Sequence, residues 1–276
     1  MGSFTIEETV LRVKDLHKMK EYYNKKLKFN IISENIRGNI GSVTLGTSQE
    51  PLLTIVSNGD EKIREKSEAN LYHIAYRLPS MNDLGNFLRN AIKEKIPLTG
   101  AGDHTVSEAI YMSDPEGNGI EIYADRDEET WKWNDGYVTM GTDEVNVEEL
   151  FEISDGMPEY ILPIGTVIGH IHLESYDLDS YKDFYINNLK LNITSESPRA
   201  YFLSHNNYHH HFGMNQWNLQ RNKPKSDKST GLEKIVLNIS RDKYKEIFND
   251  SEYKKILLDP NKIEIDVNTI SAITNI

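Results

Sequence analysis

Apolar residues recur at strand spacing in several short runs of the chain, among them 10–13, 71–78 and 168–173. Each run predicts a β-strand. Two of the runs are followed by an Asp and then by apolar and aromatic residues at helical spacing. This arrangement predicts a short amphipathic helix after Asp15 and another after Asp177.

The pattern repeats along the chain. Asp15 and Asp177 lie 162 residues apart, and each is followed eight residues later by a Tyr and twelve residues later by a Leu. In a second repeat, residues 71–78 parallel 232–239, and two Asp-Pro pairs each precede an Ile-Glu-Ile segment. Together the repeats predict four modules, each a strand, a helix and then further strands. The modules would start near residues 5, 70, 166 and 231.

Turn-forming residues and a segment without repeats divide the chain further. Residues 114–119, Asp-Pro-Glu-Gly-Asn-Gly, predict a hairpin turn that leads into a strand. Residues 129–162 match neither repeat and are interpreted as a connecting segment with one short helix. We therefore predict an N-terminal region of two modules at 1–128, the connecting segment at 129–162, and a C-terminal region of two modules at 163–276.

Composition narrows the chemistry that the chain can support. The formal net charge of −12 argues against binding to nucleic-acid phosphates. No apolar run approaches the roughly 18 residues of a membrane span, and the N-terminus lacks the features of a signal peptide. We therefore expect a cytoplasmic protein without nucleic-acid or membrane partners. The chain has no cysteine, so any metal would be held by its nine histidines and its carboxylates.

The module pattern resembles the vicinal oxygen chelate superfamily, which includes glyoxalase I, bleomycin-resistance proteins and extradiol dioxygenases. The resemblance implies an α+β fold, in which four βαβββ modules form two cupped mixed β-sheet barrels flanked by helices. Five stretches are similar to the catechol 2,3-dioxygenase branch found in bacilli, namely residues 71–73, 102–104, 107–109, 169–173 and 208–211.

That branch implies an extradiol ring-cleaving dioxygenase. Its substrates would be dioxygen and catechol or a related dihydroxylated aromatic compound. Its cofactor would be Fe(II), although Mn(II) accepts the same ligands. Because members of the family usually associate, the resemblance also leaves a homo-oligomer open.

In such modules the metal ligands come from the first and last strands. The resemblance places His73 and Glu121 at these positions of module two, and His170 at the first-strand position of module three. Two imidazoles and one carboxylate form the ligand set of Fe(II) oxygenases. Each residue alone also fits an ordinary strand position. His172 competes with His170 because it lies on the same strand face, but alignment with His73 favours His170.

This ligand set implies that modules two and three share one sheet, while modules one and four form another that has lost its site. Glu8 and Lys234 occupy the equivalent first-strand positions there, and Glu264 would be a remnant. A lysine at such a position repels a divalent cation. In an alternative pairing of modules one and two, Glu8, His73 and Glu121 would form a carboxylate-rich site of the glyoxalase kind.

The densest histidine cluster precedes a small apolar run at residues 212–214. In the extradiol enzymes the corresponding strand carries an acid–base histidine, and matching the apolar run assigns that role to His210. By strand alternation His209 and His211 would face the other way, so a shift of one residue would exchange the assignment. Gly213 stands where a fourth ligand sits in glyoxalase-type sites, which would leave metal positions open.

The resemblance assigns two further residues to the site. Tyr111 and His104 would hydrogen-bond the substrate oxygens, although a packed strand tyrosine and a surface loop histidine fit the sequence as well. Two other function classes remain open on the same fold. One is a glyoxalase-like metal-dependent isomerase or thiol transferase, and the other is a metal-free small-molecule-binding protein of the bleomycin-resistance kind.

Overall fold

The computed structural model describes residues 4–249 and 253–270. Its elements repeat the order of a strand, a helix and further strands. The first half consists of β1 (Phe4–Arg12), α1 (Leu16–Glu21), β2 (Asn30–Arg37), β3 (Ile40–Gly46), β4 (Pro51–Ser57), the short β5 (Glu68–Ala69), β6 (Leu71–Arg77), α2 (Met81–Lys93), β7 (Leu98–Asp103), β8 (Ser107–Ser113) and β9 (Gly119–Asp125).

The remaining elements complete the connecting segment and the second half. The connecting segment holds the short helix that was expected and also a small hairpin that was not, and the second half repeats the order of the first. The elements are β10 (Trp133–Asn134), β11 (Tyr137–Val138), α3 (Val147–Ile153), β12 (Val167–Glu174), α4 (Leu178–Leu189), β13 (Asn192–Ser197), β14 (Ala200–Ser204), β15 (Phe212–Asn215), the short β16 (Lys223–Pro224), β17 (Gly231–Ser240), α5 (Arg241–Phe248), β18 (Lys254–Leu258) and β19 (Glu264–Ile270).

The repeated aspartates begin the helices that were predicted after them. The side chains of Asp15 and Asp177 accept hydrogen bonds from backbone N–H groups three residues on, in the first turns of α1 and α4. Such caps satisfy donors that have no partner within the helix. Ser80 and Ser240 cap α2 and α5 in the same way. Each module thus turns from its first strand into its helix at a capping residue.

The sheets draw one module from each half of the chain. β6 of module two pairs antiparallel with β12 of module three, and β1 of module one pairs antiparallel with β17 of module four. Within each module the first strand pairs in parallel with the last. The expected pairing of modules two and three, and of one and four, is therefore confirmed, and the alternative pairing of modules one and two is wrong.

The two half-sheets are joined rather than separate. β1 also pairs with β12 through Ile6 and Ile168, which connects the strands into one 15-stranded network. In the described residues no pairing closes either half-sheet into a barrel, and module four has two strands after its helix instead of three. The α+β fold of four modules is confirmed, with open sheets that meet at the centre of the molecule.

Buried tyrosines connect the modules within each half. The Tyr23 hydroxyl of module one donates to Asp114 in the Asp-Pro turn of module two, at 3.2 Å. The Tyr185 hydroxyl donates to Asp259 in the matching turn of module four, at 3.1 Å. Sheet pairing therefore joins the halves, and these contacts join the modules inside each half. No helix in the described ranges is both long and apolar enough to cross a membrane.

Candidate metal centre

Three neighbouring strands bring the predicted ligands to one face of the sheet. Ala75 on β6 pairs with Glu121 on β9 and, on its other side, with His170 on β12. His73 lies two residues before Ala75 and shares its face because strand side chains alternate. The small side chain of Ala75 leaves the space between the three larger ones free.

The ligand atoms of these three residues converge. Oε2 of Glu121 lies 2.9 Å from Nε2 of His73 and 3.2 Å from Nε2 of His170, and the two nitrogens are 3.3 Å apart. Ligand atoms at right angles around an octahedral ion, with bonds of about 2.1 Å, are about 3 Å apart. The group, buried in all three residues, therefore fits three ligands on one face of a metal ion.

The protonation states suit metal binding. Burial lowers the pKa of His170 to about 4, so its imidazole is neutral at pH 7. Burial alone would raise the pKa of Glu121, but the adjacent His170 and His73 outweigh it and lower that pKa well below its ordinary value. A neutral imidazole and an ionised carboxylate are the forms that coordinate metals.

A cleft of about 760 Å³ opens over this group. It is lined by all six predicted site residues, and it also contacts residues 140–142 of the connecting segment. The connecting segment therefore contributes to the site, which its lack of a repeat did not indicate.

Only one of the three consecutive histidines lines the cleft. These residues lie in an irregular segment before β15, so strand alternation does not set their directions. The His210 ring faces the cleft, with its centroid 4.1 Å from that of His170. His209 instead reaches Asp125, and His211 contacts Ser204. Neither His209 nor His211 lines the cleft, which agrees with the expectation that they face away from His210, although strand alternation is not the cause.

Tyr111 and His104 form a hydrogen-bonded pair at the edge of the cleft. Tyr111 stands directly opposite Glu121 in the β8–β9 hairpin. Its hydroxyl lies 2.6 Å from Nε2 of His104, whose Nδ1 is 2.9 Å from the Gly141 carbonyl oxygen. Nδ1 therefore donates to the carbonyl, and Nε2 accepts from the tyrosine. Burial, reinforced by Glu121, raises the pKa of Tyr111 well above its ordinary value and keeps it protonated.

Sequence reasoning treated His172 only as a competing ligand. In the structure it lies outside the three-residue group and forms one wall of the cleft with Tyr72, Phe202 and Trp217. A Cβ added at Gly213 would lie 2.9 Å from the His172 ring. The missing side chain at Gly213 thus makes room for this ring. The period-two spacing from His170 was the signal that His172 shares the site's face, whereas Trp217 lies beyond any repeat.

Comparison with known proteins assigns the family. The model of the Glyoxalase/Bleomycin resistance protein/Dioxygenase superfamily matches residues 5–122. A catechol-2,3-dioxygenase of Bacillus subtilis (strain 168) is 36% identical over 228 residues, which cover 81% of this chain and 78% of that protein. The chain belongs to this superfamily.

Solved structures agree with the fold of the superfamily. A Bacillus subtilis protein provisionally called a dioxygenase superposes with a TM-score of 0.62 at 12% identity, covering 96% of this chain and 84% of that one. Glyoxalase I from Zea mays superposes with a TM-score of 0.54 at 14% identity, covering 96% and 92%. At such identities these structures support the fold alone.

The second half-sheet of this superfamily member carries the equivalent positions, but among the described residues they form no group that could hold a metal ion. Lys234 occupies the place of His73, and Glu8 that of His170. By strand register Asp266, which is level with Val236, corresponds to Glu121, so the expectation that Glu264 is the remnant is wrong. The Lys234 ammonium lies 2.5 Å from Glu264 and 3.3 Å from Asp266. An internal cation therefore bridges these two carboxylates and balances one of their two negative charges.

Proposed function

We propose that the protein is an extradiol ring-cleaving dioxygenase that acts on catechol or a related dihydroxylated aromatic compound, with Fe(II) held by His73, Glu121 and His170. The observation that carries the proposal is the buried group of these three ligands on one face, open to a cleft that contains a neutral histidine. The similarity to a catechol-2,3-dioxygenase supports the choice of reaction. Mn(II) fits the same ligands.

Residues of the chain that are not metal ligands would transfer protons and orient the substrate. When bound, the iron supplies Lewis acidity to the phenolic oxygens and the redox chemistry that dioxygen requires. Burial lowers the pKa of His210 well below its ordinary value, so the neutral ring can accept a substrate proton and return it later. The Tyr111–His104 pair would hydrogen-bond the substrate oxygens and orient the ring.

Oxygen consumption tests the proposal. Protein purified without oxygen is loaded with Fe(II) and mixed with catechol in aerated buffer. We expect one dioxygen consumed per catechol and a yellow ring-opened product. Glu121→Ala protein treated in the same way is the control and should consume no oxygen above background.

Two outcomes would contradict the proposal. Stoichiometric metal without oxygen uptake, across catechol, substituted catechols and hydroquinone, would favour the metal-dependent isomerase or transferase class. Binding of an aromatic compound with no metal bound would favour the resistance-type binding protein. The cytoplasmic location and the homo-oligomer stay predictions of the sequence.

A further inference from the structure

A chain of hydrogen bonds leads from His210 away from the cleft. Nδ1 of His210 lies 2.7 Å from Nδ1 of His209, and Nε2 of His209 lies 3.0 Å from Oδ1 of Asp125. His209 is completely buried. Asp125 ends β9, the strand that also carries Glu121. The site described above does not use either His209 or Asp125.

Both oxygens of Asp125 accept hydrogen bonds. Oδ2 accepts from the Tyr208 hydroxyl at 2.9 Å and from Nη1 of Arg77 at 3.0 Å, while Oδ1 faces His209. Burial alone would raise the pKa of Asp125, but the hydrogen bond from His209, together with the charge and the hydrogen bond of Arg77, outweighs it and lowers that pKa. The carboxylate is therefore ionised and can only accept.

This arrangement determines the proton positions. Because Asp125 only accepts, Nε2 of His209 must carry a proton. Arg77 already balances the charge of Asp125, so a second buried cation at His209 would be uncompensated. Neutral His209 then has its lone pair on Nδ1, and His210 must donate its own Nδ1–H to it. Nε2 of His210 is left unprotonated, and it has no hydrogen-bond partner among the described residues.

We propose that Asp125 and His209 are positioning residues that fix His210 in the Nδ1–H tautomer and present the lone pair of its Nε2 to the cleft. The significance for catalysis rests on the proposed function, in which His210 accepts a substrate proton. The tautomer itself does not depend on that function, so the two can be tested separately.

Nitrogen-15 NMR of the metal-free protein tests the tautomer. The protein is labelled with ¹⁵N-histidine, and the signals of His209 and His210 are assigned by their loss in the His209→Gln and His210→Gln variants. We expect His210 to be protonated on Nδ1 and unprotonated on Nε2, and His209 to show the reverse. A protonated Nε2 on His210, or a doubly protonated His209, would overturn the inference. If one variant fails to fold, the other still assigns its own histidine, and that single assignment decides the matter because the Nδ1–Nδ1 hydrogen bond makes the two tautomers opposite.

Asp125→Asn should reverse both tautomers. Tyr208 and Arg77 donate toward Oδ2, so the amide oxygen of the asparagine would take that side and its NH₂ group would face His209. His209 would then donate from Nδ1, and His210 would be protonated on Nε2. In Ser–His–Asp triads the same substitution imposes the wrong tautomer and lowers kcat about 10⁴-fold. Unchanged tautomers in this variant would contradict the mechanism.

Kinetics provide a second readout. In the iron-loaded Asp125→Asn protein we expect kcat to fall about 10²- to 10⁴-fold, with iron content and the KM for catechol near those of the unmodified protein. Adding Arg77→Gln removes one donor, lets the amide turn, and should recover at least part of kcat. A merely structural role predicts a further loss instead. Asp60→Asn, which breaks an exposed pair with Lys228, is the control.

The failures of the two proposals are distinguishable. If the unmodified protein shows the expected tautomers but no oxygen uptake, the proposed function fails and the positioning of His210 stands. If oxygen is consumed but the tautomers are the opposite ones, the function stands and this inference fails.

Discussion

At Gly169 an added Cβ would lie 1.7 Å from the Tyr123 hydroxyl. Gly169 precedes His170, and the Tyr123 ring lies against the His170 ring with their centroids 5.1 Å apart. Ala75 lies between Glu121 and His170, and its small side chain leaves space for both of them. Gly213 likewise leaves space for the His172 ring. Small residues therefore set how closely the larger site residues approach one another, because a packed interior has little space for an extra methyl group.

At the scale of single residues, the substitution His210→Ala tests the role of His210. We expect metal content to be retained and kcat to fall about 10²- to 10⁴-fold, since the side chain would supply acid–base help without being a ligand. Metal analysis and oxygen uptake measure the two effects. His17→Ala, which removes a histidine at the exposed side of α1, should change neither. Loss of metal from His210→Ala would show that its role was assigned wrongly.

At the scale of elements, each of the two Asp-Pro turns contains a buried aspartate that accepts a hydrogen bond from a tyrosine hydroxyl. Burial raises the pKa of Asp114 to about 6 and that of Asp259 to about 7, although hydrogen bonds from Tyr23 and Tyr185 oppose the shift. The repeated Tyr and Asp of the sequence are thus explained by one contact that occurs twice. Each joins the helix of one module to the hairpin of the next.

This contact predicts a dependence of stability on pH. A folded-state pKa above the unfolded value of about 4 means that the fold binds the proton more tightly. The corresponding stability is present below pH 4 and is lost as pH rises through about 6 and 7. In metal-free protein we expect the free energy of unfolding to fall by at most about 7 kcal/mol from these two groups, because each unit of pKa difference corresponds to about 1.4 kcal/mol.

Urea unfolding between pH 4 and 8 measures this loss. The double variant Asp114→Asn, Asp259→Asn should lose less stability over the range, so its unfolding free energy relative to the unmodified protein should rise with pH. Asp179→Asn, at an exposed position in α4, is the control and should run parallel to the unmodified protein. Parallel curves for the double variant would contradict the raised pKa values.

At the scale of the whole molecule, the candidate metal centre ties the two halves together. His73 and Glu121 come from the first half of the chain and His170 from the second, and they meet because β6 and β12 pair. A metal ion bound there would bridge strands that are about 100 residues apart. The predicted regions 1–128 and 163–276 therefore share both of their sheets.

Metal binding should accordingly stabilise the whole fold. With free Mn(II) at about 100 times its Kd, binding contributes about 2.7 kcal/mol, so we expect Tm to rise by about 5 °C and to fall again with a chelator. Glu121→Ala should abolish the rise. Asp266→Asn changes the equivalent carboxylate of the second half-sheet and should preserve it. An equal rise in Glu121→Ala protein would place the metal elsewhere.

The sequence by itself determined the local elements and much of the candidate site. These elements depend on strand and helix periodicity, on capping aspartates and on the Asp-Pro turn. All of these signals involve residues close together in the sequence, so they can be recognised without knowing the fold. Combined with the repeat and the family resemblance, they placed His73, Glu121 and His170 at equivalent strand positions, and from these positions the pairing of modules followed.

Only the tertiary structure decided which side chains meet beyond that pattern. The segment 209–211 is irregular, so no period fixes which histidine faces the cleft. His209 reaches Asp125 across 84 residues, and His172 packs on Gly213 of a neighbouring strand. Such contacts depend on the order of strands in the sheet and on the shapes of distant residues. Periodicity along one segment carries no information about either, because it reports only which face of that segment is buried.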